Sequence, residues 1–319
     1  MKFNIQMCGD PTVDWFRIVN EDVIVRGGVY YWKKQPEDTK VRLSSKPGGS
    51  AMVLQLLTAM IPADLATVQG AVLDEELLNR PKDDRITTSW TSWRQFPNPR
   101  FSHSAYRLDK WQEFEPGYWD YPSARLNGRA DLLIVQDSGL GFRDCAAGWP
   151  ESLRDDSQED LPREIIYKLG QYNENRPNPL LERIDVLGLA DRTTIVTTLS
   201  DLRSCAVKIG VSLSWEQMLE EVIAAVFNTN CPFVEGKGGG LKYKRVIVTM
   251  GASGVIIAEK TTSTIIFDRS GQEGDFASQF PGQMMGYHTC LLGSLAVAWV
   301  ENPEQMDWIA ACDIGLKLA

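Results

Sequence analysis

Apolar residues along this chain fall into two patterns, short continuous runs and longer stretches at helical spacing, and they alternate for most of its length. Phe3 to Cys8, which alternates, and Ala66 to Val72 read as strands, and Asp131 to Gln136, Thr193 to Thr198 and Val246 to Thr249 are compact runs of the kind that form strands buried on both faces. Between them, Ala51 to Met60, Asp74 to Asn79, Arg163 to Tyr172, Ser200 to Cys205 and Ser214 to Phe227 read as helices, with Ser50 as an N-cap for the first and Ser214-Trp215-Glu216-Gln217 as a capping box for the last. A loop from Gly282 closes into a helix that is apolar nearly all round (Leu291, Leu292, Leu295 to Ala298), and Glu304 to Leu318 reads as a final helix. Two regions break the alternation. Val23 to Lys33, interrupted by Gly27-Gly28, and the aromatic-rich stretch from Arg85 to Gly128 read as antiparallel strands, as do Val255 to Glu259 and Thr264 to Asp268. The pattern predicts an α/β fold with a largely parallel sheet decorated by a small antiparallel β lid, whose strands lie near 15–45 and 86–120 of a single domain spanning 1–319.

Composition narrows the partners. With 319 residues, 43% of them apolar, the chain can bury a large core, and its net charge of −9 with no long Lys/Arg run argues against nucleic acid. No apolar run approaches the ~20 residues that span a bilayer, and the first residues lack the features of a signal peptide, so a soluble, cytoplasmic protein is expected. Six dispersed cysteines without CxxC spacing read as buried free thiols, and two histidines make a zinc site improbable. A small-molecule ligand or a protein partner remains.

In open α/β sheets, ligands contact the carboxyl ends of the strands, which directs attention to the residues that follow each run. Those are Asp14 after Gly9-Asp10-Pro11 and Asp137 in Asp137-Ser138-Gly139. Aspartates and glycines also form ordinary turns at strand ends, so each has a purely structural reading beside the functional one. The aromatic stretch has two readings as well, stacking a ligand base or packing a sheet face. Gly236-Lys237-Gly238-Gly239-Gly240 lacks the Gly-Lys-Ser/Thr ending of a phosphate loop and reads as a surface loop.

This order of landmarks resembles the ribokinase-like, or PfkB carbohydrate kinase, family across nearly the whole chain. The resemblance implies a three-layer sandwich, with Asp14, Gly48, Gly49 and Asp137 on the substrate and Asp201, Gly251, Gly254 and Gly286 on the nucleotide and its anionic groups. It implies ATP or another nucleotide as the second ligand. The family's Asn-x-x-Glu motif, which helps organise magnesium, corresponds to Thr198-Leu199-Ser200-Asp201, so a carboxylate is present without its Asn and the magnesium set is incomplete. Its Gly-Ala-Gly-Asp motif corresponds to Gly286-Tyr287-His288-Thr289. Thr289 stands where the family's catalytic Asp accepts a proton, and Tyr287 and His288 add side chains where glycine leaves room for phosphate.

Three readings follow. The first is a degenerate kinase-like domain that binds a nucleotide, nucleoside or sugar-like ligand and serves as a sensor or regulatory module. Similar kinase-like segments precede ryanodine-receptor-type (RyR) domains in bacterial proteins, and a last helix without a stop signal fits a fragment that continues into such a domain. The second is an active ATP-dependent sugar or nucleoside kinase in which His288, or Asp137 from across the cleft, replaces the base. The third is a structural scaffold that forms a homodimer through its lid strands.

Overall fold

A computed structural model describes residues 2–20, 23–26, 29–32, 42–70, 88–90, 94–98, 103–112, 126, 128–139, 141–154, 160–170, 178–203, 215–228, 231–235, 240–250, 254–260, 262–266 and 287–318. The chain begins with β1 (Phe3–Gly9) and passes through β2 (Pro11–Asn20), the hairpin β3 (Val23–Arg26) and β4 (Val29–Trp32), and β5 (Arg42–Gly48). Helix α1 (Gly49–Met60) and β6 (Ala66–Gly70) follow, then β7 (Thr88–Trp90), β8 (Arg94–Asn98) and β9 (His103–Gln112). Next come β10 (Leu132–Gln136), α2 (Glu151–Arg154), β11 (Glu164–Lys168), α3 (Pro179–Val186), β12 (Thr193–Thr198), α4 (Leu199–Arg203) and α5 (Trp215–Val226). The last part holds β13 (Val234–Glu235), β14 (Gly240–Leu241), β15 (Arg245–Thr249), β16 (Val255–Glu259), β17 (Thr262–Ile266), α6 (Tyr287–Glu301) and α7 (Trp308–Leu318).

Eight strands form the central sheet in the order β6-β1-β10-β11-β12-β15-β16-β17. The pairs from β6 to β15 are parallel, and β16 and β17 extend that side as antiparallel strands. Side chains on successive strand residues point to opposite faces, and the two halves of the core follow that alternation. Leu132, Ile134, Ile166, Val196 and Ile247 pack on one face with α1, α6 and α7. Leu133, Val135, Ile165, Ile195 and Val246 pack on the other with α3 and α5. The fold is therefore a three-layer α/β sandwich. A separate antiparallel sheet pairs β5 with β2, β2 with β9, and β9 with both β7 and β8, which is the expected β lid.

Several sequence expectations are corrected here. Arg163 to Tyr172 is not a helix: Glu164 to Lys168 forms a strand between β10 and β12, because Ile165, Ile166 and Tyr167 bury on alternate faces of the sheet. Ser50 is not an N-cap, since α1 begins at Gly49 and the capping position is Gly48, without a side-chain bond. The last helix starts at Trp308 and not at Glu304. Asp14 does not follow β1 at a turn; it lies within β2, opposite Lys46 and Asp109. The expected helix at Asp74 to Asn79, the glycine-rich segment 236–239, and Ser214 lie outside the described residues.

Strand β1 is the switch point of the sheet, because the chain first crosses to β6 on one side and then adds β10, β11, β12 and β15 on the other. Crevices for ligands open at the carboxyl ends of strands that part in this way. Gly9 closes β1 there with φ +134°, and a Cβ on it would lie 2.1 Å from the Gln136 carbonyl oxygen. Gly188 also has positive φ, at +68°, but nothing lies within 4 Å of its added Cβ. We predict that Gly188→Ala costs only the backbone strain, about 1 kcal/mol. Gly9→Ala adds a collision with backbone that cannot swing aside, and is expected to cost well over about 2 kcal/mol. Urea denaturation of the two variants checks this, and equal midpoints would refute it.

Candidate functional site

Because the parallel strands are in register, their last residues line up along one edge: Gly9 pairs with Gln136, Gln136 with Lys168, and Thr198 with Thr249. The segments that leave these strands carry Asp10, Asp137, Gly170 and Asp201, and the first turn of α6 brings His288 to the same edge. This is the candidate ligand edge.

Asp10, fully buried, joins three elements. Its N–H donates to the Gln136 carbonyl at 2.9 Å, and its carbonyl accepts from the Ser50 N–H in α1 at 2.9 Å. Its carboxylate accepts from the Ser138 N–H at 2.7 Å and the Phe142 N–H at 2.9 Å, which fixes the chain after β10. Asp137 is buried beside it and accepts from the Gly139 N–H at 2.7 Å and the Tyr167 hydroxyl at 2.7 Å. Arg143 donates to it through Nε and Nη2, at 2.9 Å for each closest contact, and through Nη2 also to the Gly170 carbonyl. Four donors fill the acceptor sites of one carboxylate. Asn178 Nδ2 donates to the Tyr167 hydroxyl at 3.1 Å, while its Oδ1 caps α3 by accepting from the Leu180 and Leu181 N–H groups. Burial pushes the Asp137 carboxyl above its ordinary range, and Arg143, Tyr167, Gly139 and Lys168 pull it back. The same pairing strengthens Arg143's hold on its proton against its own burial.

Lys168 ends β11 in the middle of this edge and is only 8% exposed. Its ammonium donates to the Asp137 carbonyl at 3.3 Å. Burial lowers its pKa, and the charges of Asp201, Asp137 and Asp10 oppose that shift. Asp201 accepts from the Thr198 hydroxyl at 2.7 Å, and its own N–H donates to that hydroxyl at 2.9 Å, so the pair forms a capping arrangement at the start of α4. Among the described residues no cluster of three or more His, Cys, Asp or Glu side chains has the disposition of a metal site.

The first turn of α6 carries His288 and Thr289, both partly buried. The Thr249 hydroxyl lies 2.9 Å from His288 Nε2 and 3.3 Å from the Thr197 carbonyl, which ties this ring nitrogen to the end of β15. Burial, aided by the nearby Lys168 charge, lowers the His288 pKa to about 3, so the ring is neutral at physiological pH.

Of the residues singled out from sequence, Asp137, Asp201, His288 and Thr289 lie at this edge, and Gly48 and Gly49 lead into α1 beside Asp10. Gly254 closes the turn after β15 by accepting from the Met250 N–H at 2.9 Å. Gly251, Gly286 and the side chain of Asp14 lie outside the described residues. Sequence reasoning missed Asp10, Arg143, Tyr167 and Lys168. Asp10 had a signal, an acidic residue directly after a buried run. Tyr167 and Lys168 were hidden by the helix reading of their segment.

No family model matches this sequence, and no curated protein does. Among solved structures, the chain is similar over 100% of its length to 97% of a fructokinase from Vibrio cholerae O395, with 15% identity and a TM-score of 0.47. It is similar over 98% of its length to 90% of an aminoimidazole riboside kinase from Salmonella enterica solved with aminoimidazole riboside and an ATP analog, with 14% identity and a TM-score of 0.48. A Methanocaldococcus jannaschii nucleoside kinase, an archaeal member of the ribokinase family, is matched over 99% of this chain and 90% of its own, with 10% identity and a TM-score of 0.46. At such low identity, the chemistry of the edge has to be read from this chain's own residues.

Proposed function

We propose that the chain is a kinase-like domain that binds a nucleotide, nucleoside or sugar-like small molecule at the carboxyl edge of its sheet as a sensor or regulatory module, without transferring phosphate. The observation that carries this reading is the state of His288. A general base works best with a pKa near the operating pH and an open lone pair on the substrate's proton. His288 is held neutral with a pKa of about 3, and its Nε2 shares a hydrogen bond with Thr249. Its neighbour Thr289 has a hydroxyl, which does not accept a proton near neutral pH. Asp137, the other proposed substitute, is already saturated by Gly139, Arg143 and Tyr167. A binding edge without a proton acceptor among the described residues fits recognition better than catalysis.

Two measurements bear on this. Incubation with ATP, magnesium and a panel of sugars and nucleosides is expected to give no turnover above background, while at least one panel member raises the melting temperature, as any ligand of the native state must. Sustained turnover that His288→Ala abolishes would overturn the reading in favour of an active kinase, and a panel without any thermal shift would favour a structural scaffold.

The protonation state of His288 also sets a pH dependence with a definite sign. The unfolded chain takes up a proton on this ring below about pH 6.5, whereas the folded chain does so only near the lowered value of about 3. The folded state is therefore favoured by this group above pH 6.5 and loses that advantage as pH falls, by about 1.4 kcal/mol per pH unit. Between pH 6.5 and pH 5 the wild type should lose about 2 kcal/mol more stability than His288→Gln, judged from urea midpoints. Parallel pH profiles would show that the ring is solvated.

A further inference from the structure

Resting on the ligand-binding reading above, we propose that the Lys168 ammonium takes the place of a divalent cation at this edge, so that a nucleotide's phosphate groups bind there without metal. Magnesium bound beside phosphates needs one or two carboxylates with oxygens turned toward it. Among the described residues, the carboxylates at this edge are engaged by the protein. Asp10 accepts two backbone N–H groups, Asp137 is saturated by four donors, and Asp201 accepts the Thr198 hydroxyl. An ammonium already held among these three charges offsets part of the negative charge that a second cation would need. Among the described residues the donor set therefore does not fit a magnesium ion.

What it does fit is an anion. An ammonium has three donors, and the one hydrogen bond of Lys168 among the described residues is a long 3.3 Å contact with a carbonyl. The charges of Asp201, Asp137 and Asp10 offset part of its burial, but a buried ammonium with one long hydrogen bond still lacks acceptors to complete its shell. Gly170 has no side chain to crowd it: a Cβ there would come within 2.7 Å of Lys168 Nζ and 2.9 Å of the Asp137 carbonyl oxygen, so glycine gives the ammonium its room. The neighbouring guanidinium of Arg143 is committed to Asp137 and Gly170. Lys168 is thus the cation positioned to meet an incoming phosphate, and an anion bound to it would restore the charge that burial weakens. Lys168 acts here as a binding residue with no part in bond breaking.

Isothermal titration calorimetry with ADP and with adenosine, each in EDTA and in magnesium, tests this on the whole chain. The expected result is that ADP binds with the same affinity, within about 2-fold, in both buffers, and that Lys168→Met weakens ADP at least 10-fold while leaving adenosine unchanged. ADP binding that appears only with magnesium overturns the inference, as does a Lys168→Met protein that binds ADP normally. Should that variant fail to fold, the comparison of EDTA with magnesium in the wild type still decides. If ADP does not bind while a sugar or nucleoside gives a thermal shift, the inference fails and the ligand-binding reading survives; if nothing binds, both fail.

Discussion

A carboxylate removed from water is costly unless donors replace the lost hydration, and the switch point of this sheet is organised around two that are supplied with such donors. Asp10 uses backbone N–H groups, and Asp137 uses a guanidinium, a phenol and a backbone N–H. Breaking such a set by removing one partner is far more damaging than its net contribution suggests, because the remaining charge stays buried. The loop after β10, the end of β11 and the cap of α3 all take their positions from these two side chains. The candidate site is therefore a consequence of how the sheet edge solves its own electrostatic problem.

The same arrangement separates two kinds of charge at the edge. Arg143 is satisfied internally, whereas Lys168 is held in the same low-dielectric setting with a single long hydrogen bond among the described residues. His288, close enough to feel Lys168, has lost its basicity to burial. Among the described residues this leaves positive charge without a proton acceptor, which suits holding an anionic group, and the acidic balance of the chain, −9 overall, makes a localised cation at a buried edge more selective than a basic surface would be.

Much of the architecture was legible in the sequence because buried parallel strands leave an unmistakable run, as Leu132 to Gln136 and Thr193 to Thr198 do. The hairpin of β3 and β4 was legible from Gly27-Gly28, and the burial of α6 from its unbroken apolar stretch. Strand β11 was not. Glu164-Ile165-Ile166-Tyr167-Lys168 is short, carries charges at both ends, and has its identity fixed by neighbours in the sheet and not by its own periodicity. That one misreading hid Tyr167 and Lys168. Arg143 was hidden for a different reason: its partner Asp137 is six residues away across a turn, and no spacing rule foretells which aspartate will be shielded from water. Asp201 was visible as a surviving carboxylate, but its capping partnership with Thr198 emerges only from geometry.

One residue, Asp10, separates β1 of the large sheet from β2 of the smaller one, and β5 passes into α1 with none between Gly48 and Gly49. Two such abrupt joints leave little slack with which the antiparallel layer could shift independently. Any tilt of that layer levers Asp10, whose carboxylate grips the backbone at Ser138 and Phe142. Motion of the smaller sheet would thus be mechanically geared to the floor beneath it.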